Sequence, residues 1–268
     1  MLEDWHGRFH RAEFLEGDPL RVAYRYDDPA DREVVALLAA AFASGNIKAI
    51  LAVLDAMLAP MGNHPARWLA EHSATDLRGT MNGVRHRWVR STDAEVLLAL
   101  LGGALREHGS LGALWQSVDD RAERDTLPAL ARFTAALRGF PIEPLASRER
   151  TITRASGKTS ALASIESILL TSPERGSACK RMHLFLRWMS RPADGVDLGL
   201  WTPFLSPARL VMPVDTHVLR ICRGLRFTQR KVADARAAQE ITARFRRINP
   251  EDPCRYDFAL VRAGIAER

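Results

Sequence analysis

The spacing of the apolar residues decides the fold class of this chain. Ile47, Ile50, Leu51, Leu54 and Leu58 recur at steps of three and four, as do Met182, Phe185, Leu186 and Met189. Val218, Cys222 and Leu225 form another such stripe, Ala238, Ile241, Phe245 and Ile248 a further one, and Phe258, Val261 and Ile265 a short last one. This is the period of helices buried along one face. No run of alternating β-branched residues competes with it, so the expected class is all-α. Pro29 follows Asp27-Asp28 and fits a first helical turn. Thr92-Asp93-Ala94-Glu95 reads as a capping box opening the helix of Leu97, Leu101 and Ala104, which Gly102 and Gly103 should weaken. Ser44-Gly45-Asn46 reads as a tight turn, and Pro141 to Lys158 and Pro192 to Pro213 as breaks.

Composition narrows the partners. With 268 residues, 47% of them hydrophobic, the chain can form one large domain or two small ones sharing a core. The net charge of +6 and a pI of about 9.7 suit an anionic partner, nucleic acid first among them, although an indifferent basic surface fits as well. Almost all the positive charge is arginine, whose fixed fork suits phosphate. Lys48, Lys158, Lys180 and Lys231 are the only lysines, so a catalytic amine has few candidates. Cys179, Cys222 and Cys254 lack the spacing of a zinc site, an iron–sulfur cluster or a disulfide framework. The first ten residues lack the apolar core of a secretion signal, and the longest apolar run, Val34 to Ala43, is too short to span a bilayer. These features suit a cytosolic protein that meets no membrane.

Two segments carry candidate chemistry. In Gly176-Ser177-Ala178-Cys179-Lys180 a glycine turn opens a helix. The free amides of such a helix start suit a phosphate, and the positive helix end should favour the neutral amine of Lys180. Lys180, Leu184, Arg187, Trp188 and Arg191 then share one face, opposite the apolar stripe. A solvated lysine that touches a phosphate fits the same residues. In Met212-Pro213-Val214-Asp215-Thr216-His217, Asp215 is a natural N-cap, and a cap held in one orientation can also serve catalysis. Asp215 and His217 as metal ligands would make a metal-dependent hydrolase, but an isolated Asp-x-His is weak, and His217 reads as structural.

Lesser signals remain. Arg85-His86-Arg87-Trp88-Val89-Arg90 interleaves basic and aromatic residues and suits a DNA-backbone contact or an ordinary exposed loop. Ala155-Ser156-Gly157-Lys158-Thr159 is similar to the end of a P-loop, but Ile152 replaces the first glycine and no strand precedes it. Phe42, Trp188 and Trp201 are candidates for stacking on an extruded base, or simply core residues.

The run Pro213 to Arg220 resembles the signature shared by endonuclease III, adenine glycosylases and 8-oxoguanine glycosylases, the helix-hairpin-helix DNA glycosylases. The resemblance makes Asp215 the catalytic carboxylate. Gly176 and Lys180 match the first glycine and the lysine of the family hairpin, and Ala178 stands where a second glycine is usual. Ser44 to Ile47 lies where the family inserts a polar residue beside the flipped base, and Asp257 to Gly264 resembles the closing helix. The interval from Lys180 to Asp215, 35 residues, is longer than in endonuclease III because of the insert Asp194 to Leu210. The archaeal 8-oxoguanine glycosylases share a long interval and a degenerate hairpin. Over most of its length the chain also resembles a bacterial and archaeal family of uncharacterised proteins, through Arg175 to Trp201 and Pro213 to Gly224.

The resemblance implies two helical subdomains with a helix-hairpin-helix-like motif and a cleft between them: residues 30–190, and residues 1–29 with 191–268. It implies a DNA repair glycosylase with lyase activity, acting in base excision on an oxidised base such as 8-oxoguanine in duplex DNA, and associated with the nucleoid. Lys180 would be the Schiff-base nucleophile. Gly176, Ser177, Ala178, Asn46, Arg181, Arg187 and Arg220 would contact DNA. Neither a metal nor an iron–sulfur cluster is expected, and no obligate protein partner is implied. The alternative is a catalytically silent DNA-binding module, with Lys180 on a phosphate and Asp215 as a cap alone.

Overall fold

The computed structural model describes residues 1–145 and 165–266. The P-loop-like run Ala155 to Thr159 and most of the break that follows Pro141 lie outside the described residues. The described chain is predominantly helical, with two strands of two residues each. It divides into two compact units. The central unit is residues 19–118 and 132–171, and the terminal unit is residues 1–18, 119–131 and 172–268. The division differs from the one expected from sequence. The Gly176 turn and the Lys180 helix fall in the terminal unit, the same one as Asp215.

The central unit is built around α2 (Pro29–Phe42). Asp28 caps it, accepting from the amides of Ala30 and Asp31, and Pro29 takes the first helical position, where no amide partner is needed. Val34 to Phe42 are at most 1% exposed, so this helix is enclosed on every side. Its two buried carboxylates are satisfied by neighbouring helix starts. Asp31 accepts from Ala66 N at 2.7 Å in α4 (Pro65–Glu71), and Glu33 from Gly112 N at 3.0 Å in α6 (Leu111–Val118). Asn46 caps α3 (Ile47–Leu58) after the expected turn, in which Gly45 holds φ at +112°.

Two local expectations change in α5 (Ser91–His108). The helix starts one residue before Thr92, and Asp93 rather than Glu95 closes its first turn by accepting from Arg90 N at 2.8 Å. Glu95 instead accepts from Gly79 N. Gly102 and Gly103 do not interrupt the helix. A Cβ at Gly102 would lie 2.6 Å from the Leu69 carbonyl oxygen, and one at Gly103 2.7 Å from the Phe140 side chain. The glycines are where neighbouring segments approach α5 most closely. Before α5, β1 (Arg85–His86) and β2 (Val89–Arg90) make a small hairpin that the helical periodicity did not predict.

The terminal unit contains α1 (Leu2–Phe9), α8 (Lys180–Ser190), α9 (Thr216–Gly224), α10 (Ala235–Ile248) and α11 (Asp257–Ala266), while α7 (Leu127–Gly139) runs across the division. The predicted stripe Met182, Phe185, Leu186 and Met189 is fully buried, as are Ala238, Ile241 and Phe245 to within 1%. Ile248, expected to continue the latter stripe, is 48% exposed at the end of its helix. The insert Asp194 to Leu210 forms part of the core: Trp201 is fully buried against Phe185 at 5.1 Å between ring centroids, and Arg209 forks onto Asp119 with two bonds of 2.8 Å.

Candidate active site

Lys180 and Asp215 come together at two helix starts. Lys180 is the first residue of α8, and Asp215 is the N-cap of α9. The two oxygens of Asp215 divide their work. Oδ1 accepts from the amides of His217 at 2.9 Å and Val218 at 2.8 Å, which fixes the carboxylate plane. Oδ2 faces the Lys180 ammonium, with Nζ at 3.3 Å. Both side chains are about one-third exposed, at 32% and 34%. Burial favours the neutral acid, but Lys180 and the two amides outweigh it and hold the Asp215 carboxyl below the usual range. The pair is therefore reachable from solvent and oriented, with the carboxylate held in its charged form.

The backbone around Lys180 is shaped by its neighbours. Gly176 adopts φ +72°, and its carbonyl accepts from Ala235 N at 3.0 Å, tying the turn to the start of α10. Ser177 bridges to Asp234, and its hydroxyl accepts from Cys179 N at 3.1 Å. Cys179 caps α8 at φ +44°, a left-handed conformation that a side chain disfavours.

Two turns along α8 lies a second set of charges. Arg187, 1% exposed, reaches Asp257 at 2.9 Å and Asp197 at 3.2 Å. Arg191 pairs with Asp197 and, at 2.7 Å, with Asp252. Burial pushes the Asp257 carboxyl up to about 6, against the pull of the Arg187 and Lys180 cations. Asp197 is raised for the same reason against Arg187 and Arg191. The charges of Lys180 and Asp215 also act on Asp257, in opposite directions.

A family model described as "Protein of unknown function (DUF2400)" matches residues 18–266, nearly the whole chain. The chain belongs to this family. No curated protein and no solved structure matches it. The DUF2400 match includes Lys180 and Asp215, and their 3.3 Å approach gives it a specific pair of side chains to examine.

In this DUF2400 chain the other residues expected at the site fall into three groups. Gly176, Ser177 and Ala178 precede Lys180 as expected, with Ala178 only 7% exposed, and Arg181 follows it. Arg220 is exposed on α9. Asn46 is exposed in the central unit, with its side-chain oxygen engaged as the α3 cap. Arg187 must be corrected: it belongs to the core, held between Asp197 and Asp257, and has no face left for DNA. Trp188 and Arg191, expected beside it on the solvent face, are 0% and 4% exposed, because Asp194 to Leu210 covers that side. Phe42, Trp188 and Trp201, at most 1% exposed, are core residues with no open ring face.

Asp257, Asp197 and Asp252 were missed as members of this constellation. Only the aspartate opening the last helix hinted at one of them. His217 packs against α11, where a Cβ on Gly264 would lie 2.9 Å from its Nε2. Among the described residues one group of three potential metal ligands occurs, His10, Asp194 and Asp197. Its two carboxylates already face Arg191, and Asp197 also faces Arg187. The three cysteines are free and buried.

Proposed function

We propose that this chain is a DNA glycosylase with lyase activity that excises an oxidised base, with 8-oxoguanine the first substrate to test. The observation that carries the reading is the Lys180–Asp215 approach of 3.3 Å, with the carboxylate locked by two amides. Gly176 to Lys180 would act as a degenerate helix-hairpin-helix turn on the phosphates, with Arg181 and Arg220 as further contacts. The damaged base leaves the stack because its sugar carbon is inaccessible inside a duplex. Lys180 attacks that carbon as the neutral amine, its proton having passed to solvent. The bond to the base breaks, and the base departs with its electron pair and gains a proton. The bond from the same carbon to the ring oxygen then opens, that oxygen takes the proton lost by the attacking nitrogen, and an imine links Lys180 to the sugar. Asp215 balances the positive charge that develops on the sugar. Loss of a sugar proton then expels the 3′ phosphate and nicks the strand.

Borohydride reduction in the presence of lesion-containing duplexes tests this directly. The wild type should become covalently trapped, and Lys180→Gln should not. Asp215→Asn should slow trapping by about a hundredfold or more, while asparagine keeps the cap. Trapping by Lys180→Gln would refute the assignment. A second reading, a silent DNA-binding module, is favoured by the closed faces of Phe42, Trp188 and Trp201, which leave no ring ready to stack on an extruded base. Salt-sensitive DNA binding with no trapping across a broad lesion panel would establish it.

A further inference from the structure

The net charge of the chain is not evenly spread. From Arg220 to Arg247 there are nine basic and two acidic residues, an excess of seven. That exceeds the +6 of the entire chain, so everything outside this stretch is close to neutral. The stretch is α9, a connecting loop and α10, packed as one piece. Phe227 in the loop meets Phe245 of α10 edge to face at 5.0 Å, and the buried Thr228 donates to Glu240.

Both acidic residues are already occupied. Arg230 binds Asp234 at 2.8 Å and approaches Glu240 at 3.7 Å. Arg223, Arg226, Lys231, Arg236, Arg244 and Arg247 are exposed, and among the described residues none has a carboxylate at ion-pair distance. On α10 the split is sharp. Ala237, Ala238, Ile241, Thr242 and Phe245 are buried, while Arg236, Gln239, Glu240, Ala243, Arg244 and Arg247 face outward.

We propose that the outer face of α9, the loop and α10 is a docking track for the phosphate backbone of duplex nucleic acid. The proposal rests on the nucleic-acid part of the reading above and not on chemistry at Lys180. Three features select this occupant. The cations are mostly arginines, whose donor forks match phosphate oxygens. From Arg236 to Arg247 the helix advances about 16 Å, room for several successive phosphates. An anionic membrane is disfavoured because the apolar side of α10 is spent on the core, and the exposed large apolar side chains of the track, Val232 and Ile248, stand singly at its two ends rather than as a face that could enter a bilayer. The track also adjoins the candidate site, since the start of α10 is bonded to the Gly176 turn.

The test is titration of a short, undamaged, fluorescent duplex at several salt concentrations. The triple variant Arg236→Gln, Arg244→Gln, Arg247→Gln should bind at least about tenfold more weakly at low salt. Its slope of log affinity against log salt should fall by about 2 to 3, because each lost phosphate contact removes roughly 0.9. Neutralising Arg8, Arg67 and Arg121, also exposed, should leave the slope unchanged. Wild-type affinity and slope in the α10 variant would overturn the proposal. So would unchanged duplex binding with lost binding to phosphatidylcholine vesicles containing phosphatidylserine. Failure of the glycosylase reading looks different: the wild type would trap no lesion, yet the α10 variant would still bind duplex more weakly.

Discussion

One helix carries two ion pairs of opposite character. At the start of α8, Lys180 faces Asp215 with both side chains about one-third exposed. Two turns later, Arg187 lies between Asp197 and Asp257 with all three at most 4% exposed. Both sites join a cation to a carboxylate, yet solvent decides their use. The outer pair stays hydrated, so its charges cost little to separate. The inner charges have lost their water and are satisfied only by one another, so removing one leaves the rest stranded. Lysine, which readily changes protonation state, stands at the outer position, and arginine, which does not, at the inner one.

The largest expected effect is on the inner side. Arg187→Met should cost about 3–5 kcal/mol of stability in urea denaturation, because two buried carboxylates lose a shared partner. Adding Asp257→Asn should recover part of that loss, since one of the stranded charges is gone. A cost below about 1 kcal/mol would show that the inner network is dispensable and break the contrast.

The next effect depends on pH. His183 lies on the same helix, 1% exposed, and burial lowers its pKa from 6.5 to about 3. The unfolded chain takes up a proton near pH 6.5 that the folded chain refuses until about pH 3. Its contribution to stability is therefore complete above pH 6.5 and is lost as pH falls through that window. The slope for this one group approaches about 1.4 kcal/mol per pH unit. His183→Gln should flatten the dependence of urea midpoint on pH between about 6 and 4. An unchanged slope would mean that His183 is protonated in the folded protein.

The smallest effect belongs to the outer pair. Lys180→Gln should change stability by less than about 1 kcal/mol, the usual scale of a solvated ion pair. Together with the loss of trapping, this would separate a residue kept for chemistry from one kept for folding. A loss as large as that of Arg187→Met would place Lys180 in the structural network instead.

The sequence by itself determined the helices and their buried stripes. Periodicity is a local signal, so Met182 to Met189 and Ala238 to Phe245 could be read without knowing what they pack against. It also marked Asp215 as a cap, because capping needs only the amides two and three residues ahead. It singled out Lys180 and Asp215, although not the distance between them. Tertiary structure decided the rest. Arg187, Trp188 and Arg191 look like a solvent face on a helical projection, but Asp194 to Leu210 folds over them and turns that face into core. Gly102 and Gly103 look like a local weakness in the helix until the Leu69 carbonyl and the Phe140 ring arrive beside them. Asp197, Asp252 and Asp257 are scattered along the chain, and only the fold gathers them around two arginines. The physical reason is the same in each case. A backbone pattern is set by near neighbours, whereas the exposure of a charge or a ring is set by segments that sequence spacing does not reveal.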